Sequence, residues 1–332
     1  MTYSQAVLSG DRLALSRLLT QVENDSPEGR AALIELFPHT GKAHLIGVTG
    51  APGTGKSSLV NQLALHYRKT TNKRVAIVAV DPSSPFTGGA VLGDRVRMRD
   101  LSGDPDVFIR SMATRGSLGG MAQSTASMAQ VFDAAGFDIV IIETVGAGQS
   151  EVDVARLAHT TLVVEAPGLG DDIQAIKAGI LEIADILVVN KADRPGVENT
   201  EKALKSMLEL AHPTRHNFRH HGINMNVPAH QADSQKPLWI PPIQRTVSIE
   251  GKGIVELAES IARHVAHLTQ SGDWALRERA RLEVELDALV REALVNRFRE
   301  DVSQQQYEDV LERVIQRVLS PWEAVMILLK EK

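Results

Sequence analysis

Apolar and polar positions alternate in blocks along the middle of the chain, which predicts strands and helices in turn. Between about residues 44 and 269, short apolar runs of strand length are separated by segments with helical spacing. The strand-like runs cover residues 44–50, 75–80, 138–142, 160–165, 185–189 and 244–248. They lack strict alternation, as strands buried on both faces of a parallel sheet do. We therefore predict an α/β fold with a mostly parallel, doubly wound sheet and ligand sites at the carboxyl ends of its strands.

Both ends of the chain carry helical spacing without strand-like runs. Leucines recur at helical spacing before Pro27, and from Gly272 a long charged segment carries one apolar stripe. The stripe consists of Leu282, Leu286, Leu289, Val290 and Leu294. Such a stripe packs either on its own domain or against a second copy of the chain, and the pattern leaves both open. We predict a helical extension over residues 1–40, an α/β domain over 41–270 and a helical arm over 271–332.

The amino-acid composition argues against several classes of protein. The 332 residues include 36 Lys and Arg against 41 Asp and Glu, a formal net charge of −5, so we expect no nucleic-acid partner. The chain has no cysteine, which excludes disulfides and thiolate metal sites. It has no run of about 18 apolar residues, so we expect no membrane span, and its start lacks the pattern of a secretory leader. A cytoplasmic location is the expectation that follows.

A glycine-rich segment follows the first strand-like run and precedes a helical segment. Residues 50–57 read GAPGTGKS and fit the pattern G-x-x-x-x-G-K-[ST] of a P-loop. Glycines let successive backbone N–H groups turn inward toward a phosphate, and the N-terminus of the helix adds positive charge. Lys56 is expected to reach the β- and γ-phosphates, and Ser57 to bind Mg²⁺. The residues predicted to bind the nucleotide here are Gly50, Gly53, Thr54, Gly55, Lys56, Ser57 and Ser58.

A second motif, far downstream, indicates which base is bound. The fifth strand-like run continues into Asn190-Lys191-Ala192-Asp193, an N-K-x-D sequence. One carboxylate can accept hydrogen bonds from both N1–H and the N2 amine of guanine, whereas adenine would leave it unpaired. Asp193 is therefore the predicted guanine reader, while Asn190 is expected to tie its loop to the P-loop and Lys191 to cover the base. Ser248 is expected to place a backbone N–H at guanine O6.

Acidic residues after two other strand-like runs are candidate ligands for Mg²⁺. Asp81 and Asp94 follow the second run, and Glu143 follows the third. Carboxylate oxygens are ligands that this hard cation prefers. Gly146 is expected to approach the γ-phosphate with its N–H. Ala147 follows at the position where Ras-like GTPases place a water-orienting Gln, so we expect slow intrinsic hydrolysis that a partner or a loop movement accelerates.

Six segments form a combination more specific than the P-loop alone. They read VTGAPGTGKSSL, VDPSSPFTGGAVLGDRVRM, IIETVGAGQSE, GLGDDIQAIKAGI, VVNKAD and TVSIEGKGI. In this order they resemble the G-protein chaperones called MeaB or ArgK, of the SIMIBI class of P-loop GTPases. The resemblance implies a homodimeric GTPase that binds GTP and GDP with Mg²⁺. It implies as partner an adenosylcobalamin-dependent acyl-CoA mutase, typically methylmalonyl-CoA mutase, whose cofactor loading the GTPase gates and which it protects or reactivates.

By motif position, the resemblance also implies three switch segments, over residues 81–95, 143–151 and 170–177. Lys177, in the third segment, is implied either to assist hydrolysis at the nucleotide or to lie on a solvated helix face. The candidate catalytic residues are Lys56, Glu143, Gly146 and Lys177.

Two other functions stay open. Relatives of this family have been designated ATPases or kinases of lysine, arginine and ornithine transport, which the guanine motif disfavours. A histidine-rich stretch over residues 212–230 would suit a metallochaperone GTPase of the same class, although the absence of cysteine argues against it. Its histidines are His212, His216, His220, His221 and His230. His216 and His220 would share one face of a helix, as metal ligands can, but the prolines and the glycine nearby predict a surface loop.

Overall fold

The computed structural model describes residues 2–82, 98–101, 103–114, 120–144, 150–168, 183–211, 219–220, 223–224 and 238–329. Two compact units divide the chain, Met1–Arg279 and Ala280–Lys332. The three-part division that the sequence suggests, with boundaries after residues 40 and 270, stays a prediction.

A seven-stranded sheet with only parallel pairings forms the centre of the first unit. The described strands are β1 (His44–Thr49), β2 (Val75–Pro82), β3 (Val107–Thr114), β4 (Ile139–Thr144), β5 (Thr160–Glu165), β6 (Ile186–Val189), β7 (Arg219–His220), β8 (Ile223–Asn224) and β9 (Ile243–Arg245). The strand order is β3-β2-β4-β1-β5-β6-β9, and β7 pairs with β8 in a separate antiparallel pair. The predicted α/β fold with a mostly parallel sheet is confirmed.

The sequence does not predict β3, and it misplaces the end of β9. In β3, which lies at an edge of the sheet, Phe108 and Met112 are buried, but Arg110 and Ser111 interrupt the apolar run. The strand predicted over residues 244–248 is wrong at its end, because β9 stops at Arg245. Its last predicted residue, Ser248, begins a 3₁₀ helix and donates a hydrogen bond to a side chain instead of to a neighbouring strand.

Helices surround the sheet, and side-chain caps fix the first three. The described helices are α1 (Tyr3–Leu8), α2 (Arg12–Glu23), α3 (Pro27–Leu36), α4 (Lys56–Thr71), α5 (Gly120–Ala134), α6 (Ser150–Leu157), α7 (Val197–Ala211), α8 (Ile254–Ser271), α9 (Asp273–Asp301), α10 (Gln304–Ile315) and α11 (Pro321–Leu328). Thr2, Asp11 and Ser26 accept hydrogen bonds from the first backbone amides of α1, α2 and α3, which satisfies donors that have no partner within the helix. Among the described residues, no helix has the length and apolar character that a bilayer span requires.

The core lies on both faces of the sheet. On one face, α4 and α8 pack on the strands. Members of this group are Ile46, Leu59, Leu63, Leu257 and Ile261. On the other face, the N-terminal helices pack with α5 and α6. Members of this second group are Leu18, Leu19, Phe132, Val140 and Val154. The sheet is therefore covered on both faces, and ligand sites are expected at the ends of its strands.

The second unit contains the rest of α9 together with α10 and α11. Ser303 and Ser320 cap α10 and α11, each in a reciprocal capping box with the side chain three residues on. Several large apolar side chains of this unit are exposed. They include Leu286, Leu294, Ile315, Val318 and Trp322.

Asp133, on α5, fixes the segment that leads into β1. Its Oδ2 accepts a hydrogen bond from the backbone N–H of Gly41 at 2.6 Å, and its Oδ1 accepts from Lys42 at 3.1 Å and from Ala43 at 3.0 Å. The carboxylate belongs to a buried residue, so these charge-assisted bonds are shielded from water. They join the end of the N-terminal helices to the strand that precedes the P-loop.

Replacement of Asp133 by Ala should destabilise the protein, because three amides lose their acceptor and the amide of Ala43 belongs to a buried residue. We expect the free energy of unfolding, measured by chemical denaturation, to fall by about 1–3 kcal/mol. Asp309→Ala removes an exposed carboxylate on α10 and serves as the control, with an expected change below about 0.5 kcal/mol. Equal effects of the two substitutions would contradict this account of Asp133.

Candidate nucleotide site

The glycine-rich segment lies where β1 ends and α4 begins. Its backbone is left-handed at Gly50, Gly53 and Gly55, with φ of 136°, 82° and 92°. A Cβ atom at Gly50 would lie 2.1 Å from the carbonyl oxygen of Val164, and one at Gly55 would lie 2.5 Å from Nδ2 of Asn190. Glycine is thus required by both conformation and space. The loop ends at the N-terminus of a long helix, which favours a bound anion.

Lys56 is buried inside this loop. Its Nζ donates hydrogen bonds to the carbonyl oxygens of Gly50 at 2.8 Å and Ala51 at 3.0 Å, and the residue is 5% exposed. Thr54 Oγ1 donates to the same Ala51 oxygen at 3.0 Å. The ammonium group is therefore held within the loop, at the place where the sequence predicts phosphate binding.

Ser57 and Glu143 meet beside the loop. Ser57 Oγ donates a hydrogen bond to Glu143 Oε1 at 2.6 Å. Glu143 is 4% exposed and lies on β4, paired with Val48 of β1. A hydroxyl and a carboxylate from adjacent elements form a set of oxygen ligands that fits a hard cation such as Mg²⁺. Ser58, on the first turn of α4, is partly exposed.

Four other predicted residues cannot be placed in this site. The structure describes the backbone of Asp81, which pairs with Ala113 in the sheet, but not its side chain. Asp94, Gly146 and Lys177 lie outside the described residues. Their roles stay predictions.

Asn190 joins three loops through one side chain. Its Nδ2 donates to the carbonyl oxygen of Thr54 at 2.8 Å. Its Oδ1 accepts from Thr246 Oγ1 at 3.0 Å, from the Ser248 backbone N–H at 3.2 Å and from Ser248 Oγ at 2.7 Å. The backbone N–H of Asn190 donates to the Glu165 carbonyl at 2.8 Å. Because three donors face Oδ1, the amide has a single compatible orientation, and the P-loop, the N-K-x-D turn and the loop after β9 are bound together.

Lys191 lies in an unusual backbone conformation beside Asn190. Its φ is 55°, a left-handed conformation that costs a non-glycine residue about 1–3 kcal/mol. Its Nζ donates to the carbonyl oxygen of Gly53 at 2.5 Å. The conformation directs the side chain onto the P-loop and adds a second link between the two motifs.

Asp193 is exposed at the end of the same turn. The pKa of Lys252, in the loop after β9, is raised. The main cause is the hydrogen bond of Lys252 to Glu250, at 2.5 Å, and the charge of Asp193 adds to it. The predicted guanine reader therefore lies at an open rim. The N–H of Ser248 donates to Asn190, and its predicted contact with guanine O6 stays a prediction.

Two polar contacts of the site are not predicted by the motifs. Thr246 is 1% exposed and donates to Asn190. Thr144 Oγ1 donates to Thr49 Oγ1 at 3.1 Å, and both threonines are fully buried. The hydroxyl pair links the ends of β1 and β4 next to Gly50 and Glu143. Threonine is common at strand ends, so only the neighbouring motifs could have indicated these residues.

The histidine-rich stretch cannot be placed relative to this site. Residues 212–230 lie outside the described residues except for the short strands β7 and β8, which include His220. In the part of the chain that the structure describes, no three His, Asp or Glu side chains are grouped to hold a metal ion.

Comparison with known proteins gives concordant matches. The model of the family described as "Methylmalonyl Co-A mutase-associated GTPase MeaB" matches residues 15–303. A putative GTPase of Pyrococcus abyssi is 43% identical over 323 residues, which cover 97% of this chain and 93% of that protein. The mitochondrial methylmalonic aciduria type A homolog of Caenorhabditis elegans is 31% identical over 296 residues, which cover 84% and 69%. A crystal structure of LAO/AO transport system kinase superposes with a TM-score of 0.69 at 27% identity and covers 99% of this chain and 95% of that one.

Replacement of Gly55 by Ala should weaken nucleotide binding, because the added Cβ would displace Asn190 and the φ of 92° strains any side chain. We expect the affinity for GDP, measured by calorimetry, to fall at least about tenfold, or ~1.4 kcal/mol. Gly103→Ala is the matched control, since Gly103 has a φ of 97° and open space around its Cβ position. Unchanged affinity in Gly55→Ala, or the same loss in both variants, would overturn the explanation.

The matched region includes both motifs that Asn190 joins, the P-loop and the N-K-x-D turn. Relatives named as putative GTPases align with nearly the whole chain, at 43% and 42% identity. The chain therefore belongs to the MeaB family of methylmalonyl-CoA mutase-associated GTPases.

Proposed function

We propose that this GTPase gates cofactor loading of an adenosylcobalamin-dependent acyl-CoA mutase of the methylmalonyl-CoA mutase type, and protects or reactivates that enzyme. The description of the family and the name of the C. elegans relative support this partner. Within the chain, the observation that carries the proposal is the Asn190 bridge. One side chain joins the loop predicted to bind the phosphates to the loops predicted to bind the base, which supports transmission of the nucleotide state as a change of loop conformation.

The reaction is hydrolysis of GTP to GDP and phosphate. Lys56 would offset the negative charge of the β- and γ-phosphates, while Ser57 and Glu143 would hold Mg²⁺. The cation, when bound, acts as a Lewis acid on the phosphate oxygens. Slow turnover, accelerated by the partner, follows from Ala147, which stands where a Ras-like enzyme has its water-orienting Gln.

A homodimer is part of this proposal. The second unit exposes large apolar side chains, including Leu286, Leu294 and Trp322, with exposed fractions of 61%, 60% and 75%. Burial of such surface removes it from water, with a gain of about 25 cal/mol per Å². Of the two interpretations of the C-terminal stripe, these exposures favour a second copy of the chain. The absence of nucleic-acid and membrane partners and a cytoplasmic location remain predictions from composition.

A transport-associated ATPase or kinase is the second candidate, favoured by the name of the solved structure at 27% identity. Such an enzyme would use ATP or transfer phosphate to a small molecule. The N-K-x-D turn disfavours ATP, because a carboxylate at Asp193 offers adenine no matching donor. A metallochaperone function depends on residues 212–230 and stays an untested alternative.

Replacement of Asp193 by Asn should move the preference from guanine to xanthine nucleotides, because the amide can donate to the C2 oxygen of xanthine. We expect GDP affinity to fall by about 1–3 kcal/mol and XDP affinity to rise, with GDP, XDP and ADP compared by calorimetry. Glu250→Gln, which removes a neighbouring exposed carboxylate, should leave the order of affinities unchanged. Tighter binding of ADP than of GDP by the unaltered protein would reject the assignment of the base.

The proposed partner can be tested with purified components. The protein is mixed with methylmalonyl-CoA mutase lacking its cofactor, in GDP or in a non-hydrolysable GTP analogue, and native mass spectrometry reports complexes and the stoichiometry of this chain. We expect a complex, and a rate of adenosylcobalamin loading, followed by visible absorbance, that differs about fivefold or more between the nucleotides.

The control for that experiment is Asn190→Ala, which breaks the link between the base and phosphate motifs. With this variant, loading should proceed at one rate regardless of the nucleotide. Failure to form a complex in either nucleotide, with GDP binding intact, would refute the chaperone function and leave the GTPase assignment standing.

A further inference from the structure

An asparagine is buried on α4, one helical turn beyond Ser57 of the P-loop. Asn61 is 5% exposed. Within the part of the chain that the structure describes, its Oδ1 is enclosed and has no hydrogen-bond partner. Buried amide oxygens nearly always accept a hydrogen bond, because an unpaired one lowers the stability of the fold. Asn61 is therefore an acceptor that waits for a donor from outside the described protein.

The side chain of Asn61 leans toward the predicted magnesium ligands. Residues four apart on a helix lie on one face, with about 5–6 Å between their Cβ atoms, so Asn61 is the neighbour of Ser57. Helical side chains lean toward the N-terminus of their helix, which for Asn61 is the direction of Ser57. The hydroxyl of Ser57 in turn donates to Glu143 Oε1 at 2.6 Å.

Arg68 shows which part of the sheet this face of α4 covers. It follows Asn61 by two helical turns, and its guanidinium donates to Asp104 at 2.8 Å and to Asp106 at 2.9 Å. Both carboxylates directly precede β3, which pairs with β2 at the edge of the sheet. The face of α4 that carries Asn61 is therefore the one toward β2 and β3.

The sheet places a carboxylate and a small side chain under this face. In the register of the strands, Glu143 of β4 lies beside Ala79 of β2. Both face α4, because side chains alternate along a strand and Ile141 and Ile77, two positions earlier, pack with leucines of α4. Ala79 is 1% exposed and ends in a methyl group, so the side chain next to Glu143 takes up little space beneath the helix.

The polar atoms at this place are mainly acceptors. Asn61 Oδ1 and an ionised Glu143 carboxylate can only accept hydrogen bonds, and Ser57 already gives its hydrogen to Glu143. The group that completes the arrangement must therefore be a donor. Water bound to a divalent cation is a strong donor, because the cation draws charge from its oxygen. Mg²⁺ in particular keeps several of its waters when it binds to a protein.

We propose that Asn61 is a positioning residue of the Mg²⁺ site: its Oδ1 accepts a hydrogen bond from a water on the cation that Ser57 and Glu143 would hold. The amide orients the hydrated ion without binding it directly. This role of Asn61 rests on the roles proposed above for Ser57 and Glu143. It also explains why a buried oxygen is kept unpaired in the protein without metal.

Manganese binding tests this role without any measurement of turnover. Mn²⁺ takes the same octahedral oxygen ligands as Mg²⁺ and is paramagnetic, so free Mn²⁺ can be counted by electron paramagnetic resonance during a titration of the full-length protein with bound GDP. Loss of an outer partner of a metal site weakens metal affinity about 10–100-fold. In Asn61→Leu, which keeps the branched shape but no polar atom, we expect the Kd for Mn²⁺ to rise about tenfold or more.

The affinity for GDP in the presence of a chelator separates this role from a structural one. In Asn61→Leu it should change less than about twofold, because the amide acts through the cation. An equal fall in the affinities for GDP and for Mn²⁺ would mean that the substitution deforms the P-loop, and would overturn the proposal. Should Asn61→Leu fail to fold, Asn61→Val, which adds less bulk, replaces it with the same expected results.

Two further variants assign the effect to the oxygen of Asn61. Asn61→Asp keeps an oxygen at this place and adds negative charge, so it should bind Mn²⁺ at least as tightly as the unaltered protein. Ser111→Ala is the matched control. Among the described residues Ser111 Oγ is likewise enclosed without a partner, but Ser111 pairs with Ala79 from β3, about 10 Å and two strands from Glu143.

Ser111→Ala should leave the Kd for Mn²⁺ unchanged within about twofold, because one bound water cannot span that distance. An unchanged Kd in Asn61→Leu or weaker binding in Asn61→Asp would overturn the role of Asn61. An equal loss in Ser111→Ala would overturn it as well, since the two oxygens would then share a structural water.

Glu143→Gln distinguishes failure of this inference from failure of the site on which it rests. Loss of the carboxylate charge should weaken Mn²⁺ binding if Glu143 holds the cation. A loss in Glu143→Gln with none in Asn61→Leu would overturn only the role of Asn61. Normal Mn²⁺ binding in both variants would reject the cation site itself, and with it the role of Asn61.

Discussion

The side-chain amide of Asn190 holds together the loops of the predicted nucleotide pocket. Its oxygen takes three hydrogen bonds from the loop after β9, and its nitrogen donates to the P-loop. The residue is 2% exposed, so removal of its side chain would leave the buried donors of Thr246 and Ser248 without this acceptor, at a cost of about 1–3 kcal/mol. The P-loop and the N-K-x-D turn lie far apart in the sequence, yet this one side chain joins them directly.

The motifs that predict the site are those in which local backbone chemistry leaves little choice. Gly50 and Gly55 are required by conformation and by close approach, and such requirements are visible in a sequence. Residue patterns also sufficed to predict the parallel sheet, because strands that are buried on both faces are continuously apolar. The N-K-x-D turn follows its strand directly, so its position at the sheet edge needs no knowledge of distant contacts.

What escaped prediction depends on partners distant in sequence. In the edge strand β3, the apolar run is interrupted by Arg110, which forms an ion pair with Glu23 of α2. Thr246 contributes to the site because its hydroxyl donates to Asn190, and no residue near Thr246 in the sequence indicates this contact. Three histidines near the amino ends of the central strands are the extreme case: each of His44, His159 and His264 is more than a hundred residues from the next, and they carry no recognisable spacing.

The strands β1 and β6 connect the two polar ends of the sheet. His44 begins β1 and Asp185 directly precedes β6, and each strand ends at a loop that carries a predicted nucleotide-binding motif. Arg277, on the first turns of α9, donates hydrogen bonds to Asp185. Contacts of α9 and a loop with a predicted nucleotide-binding motif therefore lie at the two ends of one short strand, β6.

The placement of the indole rings has a practical consequence for optical work. Two of the three tryptophans, Trp239 and Trp274, lie against histidine rings at the amino ends of the strands, and Trp322 is in the second unit. The P-loop and the N-K-x-D turn, by contrast, follow the carboxyl ends of β1 and β6. A change in the emission of Trp239 or Trp274 on addition of guanine nucleotide would thus report a disturbance at the amino ends of the strands, not contact of the nucleotide with an indole.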